Sequence, residues 1–387
     1  MNTMLRFSSS VESCIFPLLS SLPSSSISSS SSSGFVSGSR KNFISLKDGF
    51  SSGDFNFLGR RTRHFSAMSA TSNGHIGYPQ DCSFRGGESF FRNILATLET
   101  VYLNRNPTAK SILELVRSVD GDCICYDHFA FRTFGVNGHG IDSIAKLFLD
   151  FGYVQREELR FPSKKLKAFW FSPPKVPRIA DGDSGVNGPL PRIFISELLV
   201  DEMSPEAQKI IKKYTEISGN GNMHGALASA LGCLTWDKPS YSEFQQLARE
   251  SEYAAWTLVN GYTLNHVTVS AHRLKSHLRN IRDLNLFIEE NGFKLNSEGG
   301  VLKVSPDGLL LQSSTVADST SFQFAQGIVE SIPCSYIEFA ERLVLPQFKN
   351  LPENKVEEFH RRDGFEVGNA DKIFESTSKD QLTRKLA

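Results

Sequence analysis

The feature that most restricts this chain is a unit written twice. It consists of a strand with a histidine at its centre, a helix, a glycine–aromatic step and three further strands. The first copy opens with Tyr126-Asp127-His128-Phe129-Ala130-Phe131-Arg132-Thr133-Phe134 and stops at Gly135; aromatic and β-branched residues at that density predict a strand. Its helix is expected over 141–151, with Ile144, Leu147 and Phe148 on one face and Gly152 as C-cap. Strands follow at 154–161, 167–171 and 192–199, the last two separated by a Pro- and Gly-rich loop over 173–191. The second copy has a strand at 263–270 with His266 at its centre, a helix over 272–290 and the step Asn291-Gly292-Phe293. Strands at 300–304, 309–313 and 336–345 complete it. The shared order of elements carries the repeat, since identity between the copies is slight.

Side chains alternate across a strand, so Tyr126, His128, Ala130 and Arg132 are expected on one face, with Phe129, Phe131 and Thr133 on the core face. At ~3.3 Å per residue, roughly 13 Å of backbone separates His128 from Arg132, and the long arginine side chain closes about half of that. A metal at His128 and an anionic group at Arg132 would then be two ends of one small ligand.

The last strand of the second copy contains Tyr336-Ile337-Glu338-Phe339-Ala340-Glu341-Arg342. Alternation puts Tyr336, Glu338, Ala340 and Arg342 on one face, and Ile337, Phe339 and Glu341 on the other. A glutamate in the middle of an aromatic strand is costly to bury without a compensating charge. A divalent cation held by His128, His266 and Glu338 would compensate it. Two imidazoles and one carboxylate leave open positions for substrate and O2 and suit Fe(II); with no thiolate in the set, a closed structural zinc site is the less natural reading. The pattern leaves alternatives. Glu338 can pair with Arg342 or Arg132, a bulge would turn Glu341 inward, and Glu197 occupies the matching strand of the first copy. His139, His224, His272, His277 and His360 fall in glycine loops or on expected helices and are read as structural or exposed.

The remaining chain bounds the reading. With 387 residues and 40% hydrophobic content it can bury a sizeable core, and 42 basic residues against 42 acidic ones leave no electrostatic footprint for nucleic acid. No apolar run approaches the ~18–20 residues of a membrane span, so no membrane partner is expected. Residues 1–67 are serine-rich, basic and nearly free of acid, the composition of a disordered organelle transit peptide, and the serine excess favours the plastid over the mitochondrion. Beyond Cys14 in that leader, Cys82, Cys123, Cys125, Cys233 and Cys334 show no disulfide spacing and fit a reducing compartment. The expected organisation is N-terminal helices at 85–120, a first βαβββ module at 121–200, a helical insertion at 201–260, a second module at 261–345 and a C-terminal segment at 346–387. Together, 85–387 form one catalytic domain. The fold class is α+β, the two modules forming a curved sheet or half-barrel around a metal.

The two modules with their histidines and glutamate resemble the vicinal-oxygen-chelate superfamily, and Tyr336-Ile337-Glu338-Phe339 is similar to the glutamate-bearing strand of 4-hydroxyphenylpyruvate dioxygenase. A closer resemblance, to the plant branch of the 2-oxoadipate dioxygenase/decarboxylase family of lysine breakdown, covers nearly everything after the leader. It rests on the two histidine strands, Pro191-Arg192-Ile193-Phe194-Ile195-Ser196-Glu197-Leu198, the Glu338 strand, Arg362-Asp363-Gly364-Phe365-Glu366 and Phe374-Glu375-Ser376-Thr377. The resemblance implies a non-haem Fe(II) enzyme with iron on His128, His266 and Glu338, and Arg132 as the catalytic, substrate-binding residue. It also implies a small-molecule 2-oxo acid and O2 as partners. The implied reaction takes 2-oxoadipate and O2 to 2-hydroxyglutarate and CO2, with two CO2 lost, in the stroma of chloroplasts or amyloplasts, with 366–377 closing over the pocket. Two other readings stay open: a non-oxidative metal-dependent isomerase or lyase, and a plastid binding or developmental protein on the same fold.

Overall fold

A computed structural model describes residues 82–122, 124–175, 184–219 and 221–383. The expected transit peptide with Cys14 lies outside the described residues, as do Cys123 and 176–183 of the Pro- and Gly-rich loop.

Two helices lead into the sheet, α1 (Cys82–Arg105) and α2 (Pro107–Asp120). Asn106 breaks them apart: its side chain accepts the Ala109 N–H, and Pro107 opens α2 where no N–H is needed. The first module is β1 (Tyr126–Phe134), α3 (Asp142–Asp150), β2 (Val154–Phe161), β3 (Leu166–Ser172) and β4 (Arg192–Leu198). Helices α4 (Pro205–Ile217), α5 (Gly221–Leu231), α6 (Tyr241–Glu250) and α7 (Glu252–Asn260) form the insertion. The second module is β5 (Leu264–Ser270), α8 (Ile281–Glu290), β6 (Lys303–Val304), β7 (Leu310–Ser314) and β10 (Tyr336–Arg342). A hairpin, β8 (Ser319–Gln323) and β9 (Val329–Pro333), interrupts it.

The eight strands of the modules make one curled half-barrel in the order β2-β3-β4-β1-β5-β10-β7-β6. From the central β1–β5 pair outward, each module repeats the same pairing: a parallel neighbour, then two antiparallel ones. Hydrogen-bond register fixes the correspondence. His128 pairs with Arg192 as His266 pairs with Tyr336, so Phe194 stands where Glu338 stands, and Glu197 where Glu341 stands.

The helix side of the sheet is built alike in both halves. Glu197 accepts the Ile141 N–H at 2.8 Å at the start of α3, and Glu341 accepts the Ile281 N–H at 2.9 Å at the start of α8. Each carboxylate thus meets the exposed N–H groups and positive dipole end of its own module's helix. A Cβ on Gly140 would lie 2.1 Å from the Glu197 carboxylate, so only glycine admits that approach. Neither glutamate faces the histidines.

The central pairing slips twice, once at Asp127 and once at Asn265, leaving each as an extra residue opposite its partner strand. The first slip corrects the expected face of Tyr126. Its ring packs on Phe129 at 5.3 Å and its hydroxyl donates to Glu99 on the helix side, away from His128. Three further boundaries differ. The expected helix over 272–290 begins at Ile281, because Ala271–Arg273 and His277–Arg279 are separate 3-10 turns and Asn280 is the true cap. Within the helical insertion expected at 201–260, the glycine-rich stretch 219–225 includes the start of α5. Ser251 separates α6 from α7 there.

The chain ends as a strap over the open side of the half-barrel: α9 (Val367–Ile373), a 3-10 turn (Phe374–Thr377) and α10 (Lys379–Thr383). Asn369, Ser376 and Gln381 are buried and tie it to β7 and to residues 294–297. No described helix is long and apolar enough to cross a membrane.

Candidate metal centre

His128, His266 and Glu338 converge beneath the strap, all buried, each offering one ligand atom within 4.8 Å of the others. His128 Nε2 lies 3.2 Å from His266 Nε2 and 3.6 Å from Glu338 Oε2, and His266 Nε2 lies 3.0 Å from that oxygen. Ligand atoms ~2.1 Å from one ion at right angles stand about 3 Å apart, so the spacing fits a shared cation. Burial drives the His266 imidazole down to about 4, which keeps it neutral with a lone pair to give. Burial also opposes ionisation of Glu338, but the two histidines facing its carboxylate outweigh burial and hold the carboxyl at about 2.

His266 and Glu338 are oriented from behind. Asn265, on its bulge, brings Oδ1 to 3.0 Å from His266 Nδ1, and Asp127, on the other bulge, brings Oδ1 to 3.8 Å from His128 Nδ1. The Asn265 contact turns the His266 Nε2 toward the centre; His128 Nδ1 is beyond hydrogen-bond reach of Asp127, and the Thr268 hydroxyl lies 3.0 Å from the His128 Nε2. Gln312 donates to Glu338 Oε1 at 2.7 Å, leaving Oε2 to face the histidines, and Asn369 of the strap donates to Gln312 at 3.0 Å. Asp127 also neutralises a buried charge. The wholly buried Arg342 donates to both its oxygens at 2.8 Å, and Arg192 stands 3.4 Å away. Burial opposes its ionisation, but the two guanidinium groups outweigh burial and hold its carboxyl well below the usual range. The expected alternative pairs are therefore absent among the described residues. Arg342 serves Asp127, and Glu338 meets only the histidines and Gln312.

Arg132 sits further along β1, 2% exposed, with no carboxylate in ion-pair contact among the described residues. Its guanidinium donates to Thr377 Oγ1 at 3.1 Å and to the Phe374 carbonyl at 3.3 Å, while Nε–H has no partner. Tyr253 and Trp256 of α7 and Phe374 of the strap surround it at 5.0, 5.0 and 5.6 Å. A buried guanidinium without an anion is poised to receive one. The cavity at the histidines is only about 20 Å³, walled by Phe194, Tyr336, Phe365 and Phe374. Arg132 lines a second cavity, about 230 Å³, that opens past Lys164 and Ser378; Phe374 borders both.

The remaining histidines stay out of the centre. His139 is buried against Tyr262 and the Gly219 carbonyl, His272 bonds Glu358, and His224 and His277 are exposed. The Asn-His dipeptide was the visible sign of an orienting group. Gln312, Phe194 and the strap aromatics carried no comparable sign.

The profile of one protein family, 2-oxoadipate dioxygenase/decarboxylase, matches residues 94–358. A chloroplastic/amyloplastic 2-oxoadipate dioxygenase/decarboxylase of Oryza sativa subsp. japonica is 68% identical over 331 residues, 85% of this chain and 90% of that protein. A chloroplastic protein of the same description from Arabidopsis thaliana is 70% identical over 298 residues, 77% of this chain and 80% of its own length. The crystal structure of the Oryza sativa hydroxyglutarate synthase in complex with 2-oxoadipate superposes with a TM-score of 0.75 at 69% identity, covering 82% of this chain and 100% of that one.

Proposed function

The chain belongs to the 2-oxoadipate dioxygenase/decarboxylase family, and from that premise we propose how its residues carry out the reaction. The enzyme converts 2-oxoadipate and O2 to 2-hydroxyglutarate and CO2. Carbon balance allows one CO2, not one from each carboxylate: six carbons enter and the product keeps five. The distal carboxylate survives, the keto carbon becomes the new carboxylate, and the neighbouring methylene gains the hydroxyl. The two oxygen atoms of O2 account for both changes.

His128, His266 and Glu338 hold Fe(II), and Arg132 holds the distal carboxylate. Bound there, Fe(II) supplies the electron chemistry that O2 requires and open positions for the keto acid. The chain's own residues do the rest. Arg132 fixes the far end of the substrate, so the keto end is delivered to the triad in one pose. Gln312 keeps Glu338 presenting a single oxygen. Phe194, Phe365 and Phe374 exclude water from the reacting end.

The observation that carries this reading is the buried guanidinium of Arg132, with no carboxylate at ion-pair distance among the described residues, on the strand that also presents His128. The test is oxygen uptake by metal-stripped protein given Fe(II) and 2-oxoadipate. One O2 consumed per 2-hydroxyglutarate formed is expected, with neither seen without metal. Metal-dependent loss of the 2-oxo acid with no oxygen consumed would replace this reading with the isomerase or lyase one.

The enzyme is a plastid protein, as its relatives are described, and residues 1–67 act as its transit peptide. A reporter fused to that segment enters plastids on this reading and stays in the cytosol if it is wrong.

A further inference from the structure

Tyr336 begins β10 one pleat before Glu338, on the same inner face. Its ring stacks on His266 with centroids 4.7 Å apart and planes 25° from parallel, and its backbone carbonyl accepts the Tyr102 hydroxyl at 2.6 Å. Ring and backbone are thus fixed. The phenol proton is not matched: Tyr336 is 0% exposed, and the polar side chain its hydroxyl faces is the guanidinium of Arg132, which can only donate. Buried tyrosine hydroxyls ordinarily find an acceptor. The Nε–H of Arg132 is in the same condition. Two buried donors from facing strands lack acceptors in one small region.

We propose that Tyr336 is a second donor to the distal carboxylate of the substrate, which accepts from the Tyr336 hydroxyl and from Arg132 together. The proposal rests on the role given to Arg132 above and extends it to specificity. A carboxylate supplies the two acceptor oxygens that these donors lack. The two side chains also face each other closely: the Arg132 guanidinium is the neighbouring charge that most opposes the upward push of burial on the Tyr336 phenol. Because the Tyr336 ring lies against His266, its hydroxyl sits at a set distance from the triad. It therefore gauges chain length as well as charge. A 2-oxo acid lacking the distal carboxylate leaves both donors unmatched.

The test compares wild type with Tyr336→Phe, which keeps the ring and its stack on His266. Binding of 2-oxoadipate and of 2-oxohexanoate, the same chain without the distal carboxylate, is measured by anaerobic calorimetry on the Fe(II)-loaded proteins. Expected are unchanged iron content, a roughly 10- to 100-fold loss of affinity for 2-oxoadipate and a change of about twofold or less for 2-oxohexanoate. With Arg132→Lys the two losses should be less than additive, because the donors share one acceptor group. Equal losses on both acids would assign the phenol to the metal-bound end and overturn the proposal. No loss on either would show that it does not touch the ligand. A wild-type protein that ignores 2-oxoadipate would instead sink the reaction assigned above, and this proposal with it.

Discussion

In the first module β4 presents Phe194 at the register position where β10 presents Glu338. That one difference sets the division of labour in the proposed site. On that proposal the second module supplies two of the three ligands, and the first supplies one ligand and the arginine for the substrate. The bulges differ in the same spirit. Asn265 is neutral and serves His266 alone, whereas Asp127 is charged and also anchors Arg342 of the other module. On the helix side nothing diverges, and Glu197 and Glu341 cap their helices at nearly the same distance. Symmetry is kept where it supports the sheet and abandoned where the chemistry takes place.

Substitutions can break this comparison. The largest effect is expected at the ligands. His128→Ala, His266→Ala and Glu338→Ala should each lower metal affinity by more than the ~10- to 100-fold typical of an orienting partner, with oxygen uptake gone. Phe194→Ala should keep the metal, read by metal analysis of the purified protein; a loss there would mean that the register equivalence misplaces the division of labour. Next comes Arg132→Lys, which keeps charge but loses the planar fork. The metal should stay while kcat/KM for 2-oxoadipate falls roughly 10- to 150-fold, the worth of a charge-assisted hydrogen bond. A fall in melting temperature and metal content together would make Arg132 a structural residue.

The bulge residues should separate by readout. Asp127→Asn leaves the buried Arg342 without its counter-charge, and about 3–5 kcal/mol of stability should go, seen in denaturant unfolding. Asn265→Ala should leave unfolding nearly unchanged and weaken metal binding about 10-fold. If the two variants behave alike, the asymmetry between the bulges is only apparent. The smallest and most even effect is expected at the caps. Glu197→Ala and Glu341→Ala should each cost about 1 kcal/mol and leave the metal in place.

The convergence of His128, His266 and Glu338 was legible because strand alternation has a period of two and needs no knowledge of the partner strand. Once His128, His266 and Glu338 are placed mid-strand, their common face follows. Tyr126 was misread for the opposite reason. A bulge is a property of the pairing, and nothing within 126–134 announces that β5 skips a residue opposite Asp127. The late start of α8 has a similar origin, since 272–280 keeps apolar residues at helical spacing while its backbone is spent on two separate turns. Gln312 and the strap aromatics join the site only through tertiary packing, which no local pattern marks.

The closed strap has a consequence for timing. A space of about 20 Å³ holds roughly one water molecule, far less than a six-carbon keto-diacid. A ligand of that size fits against the triad only with some displacement of the wall. The segment carrying Phe365 and Phe374 is the part of that wall not woven into the sheet. At its rim Lys164 bridges Asp371 and Glu375, each at 2.9 Å. An opening of this latch in every cycle would set a ceiling on turnover, whatever the speed of the chemistry beneath it. Salt screens partly exposed charges such as these, so a turnover limited by the latch should rise with ionic strength, read by oxygen uptake at increasing salt.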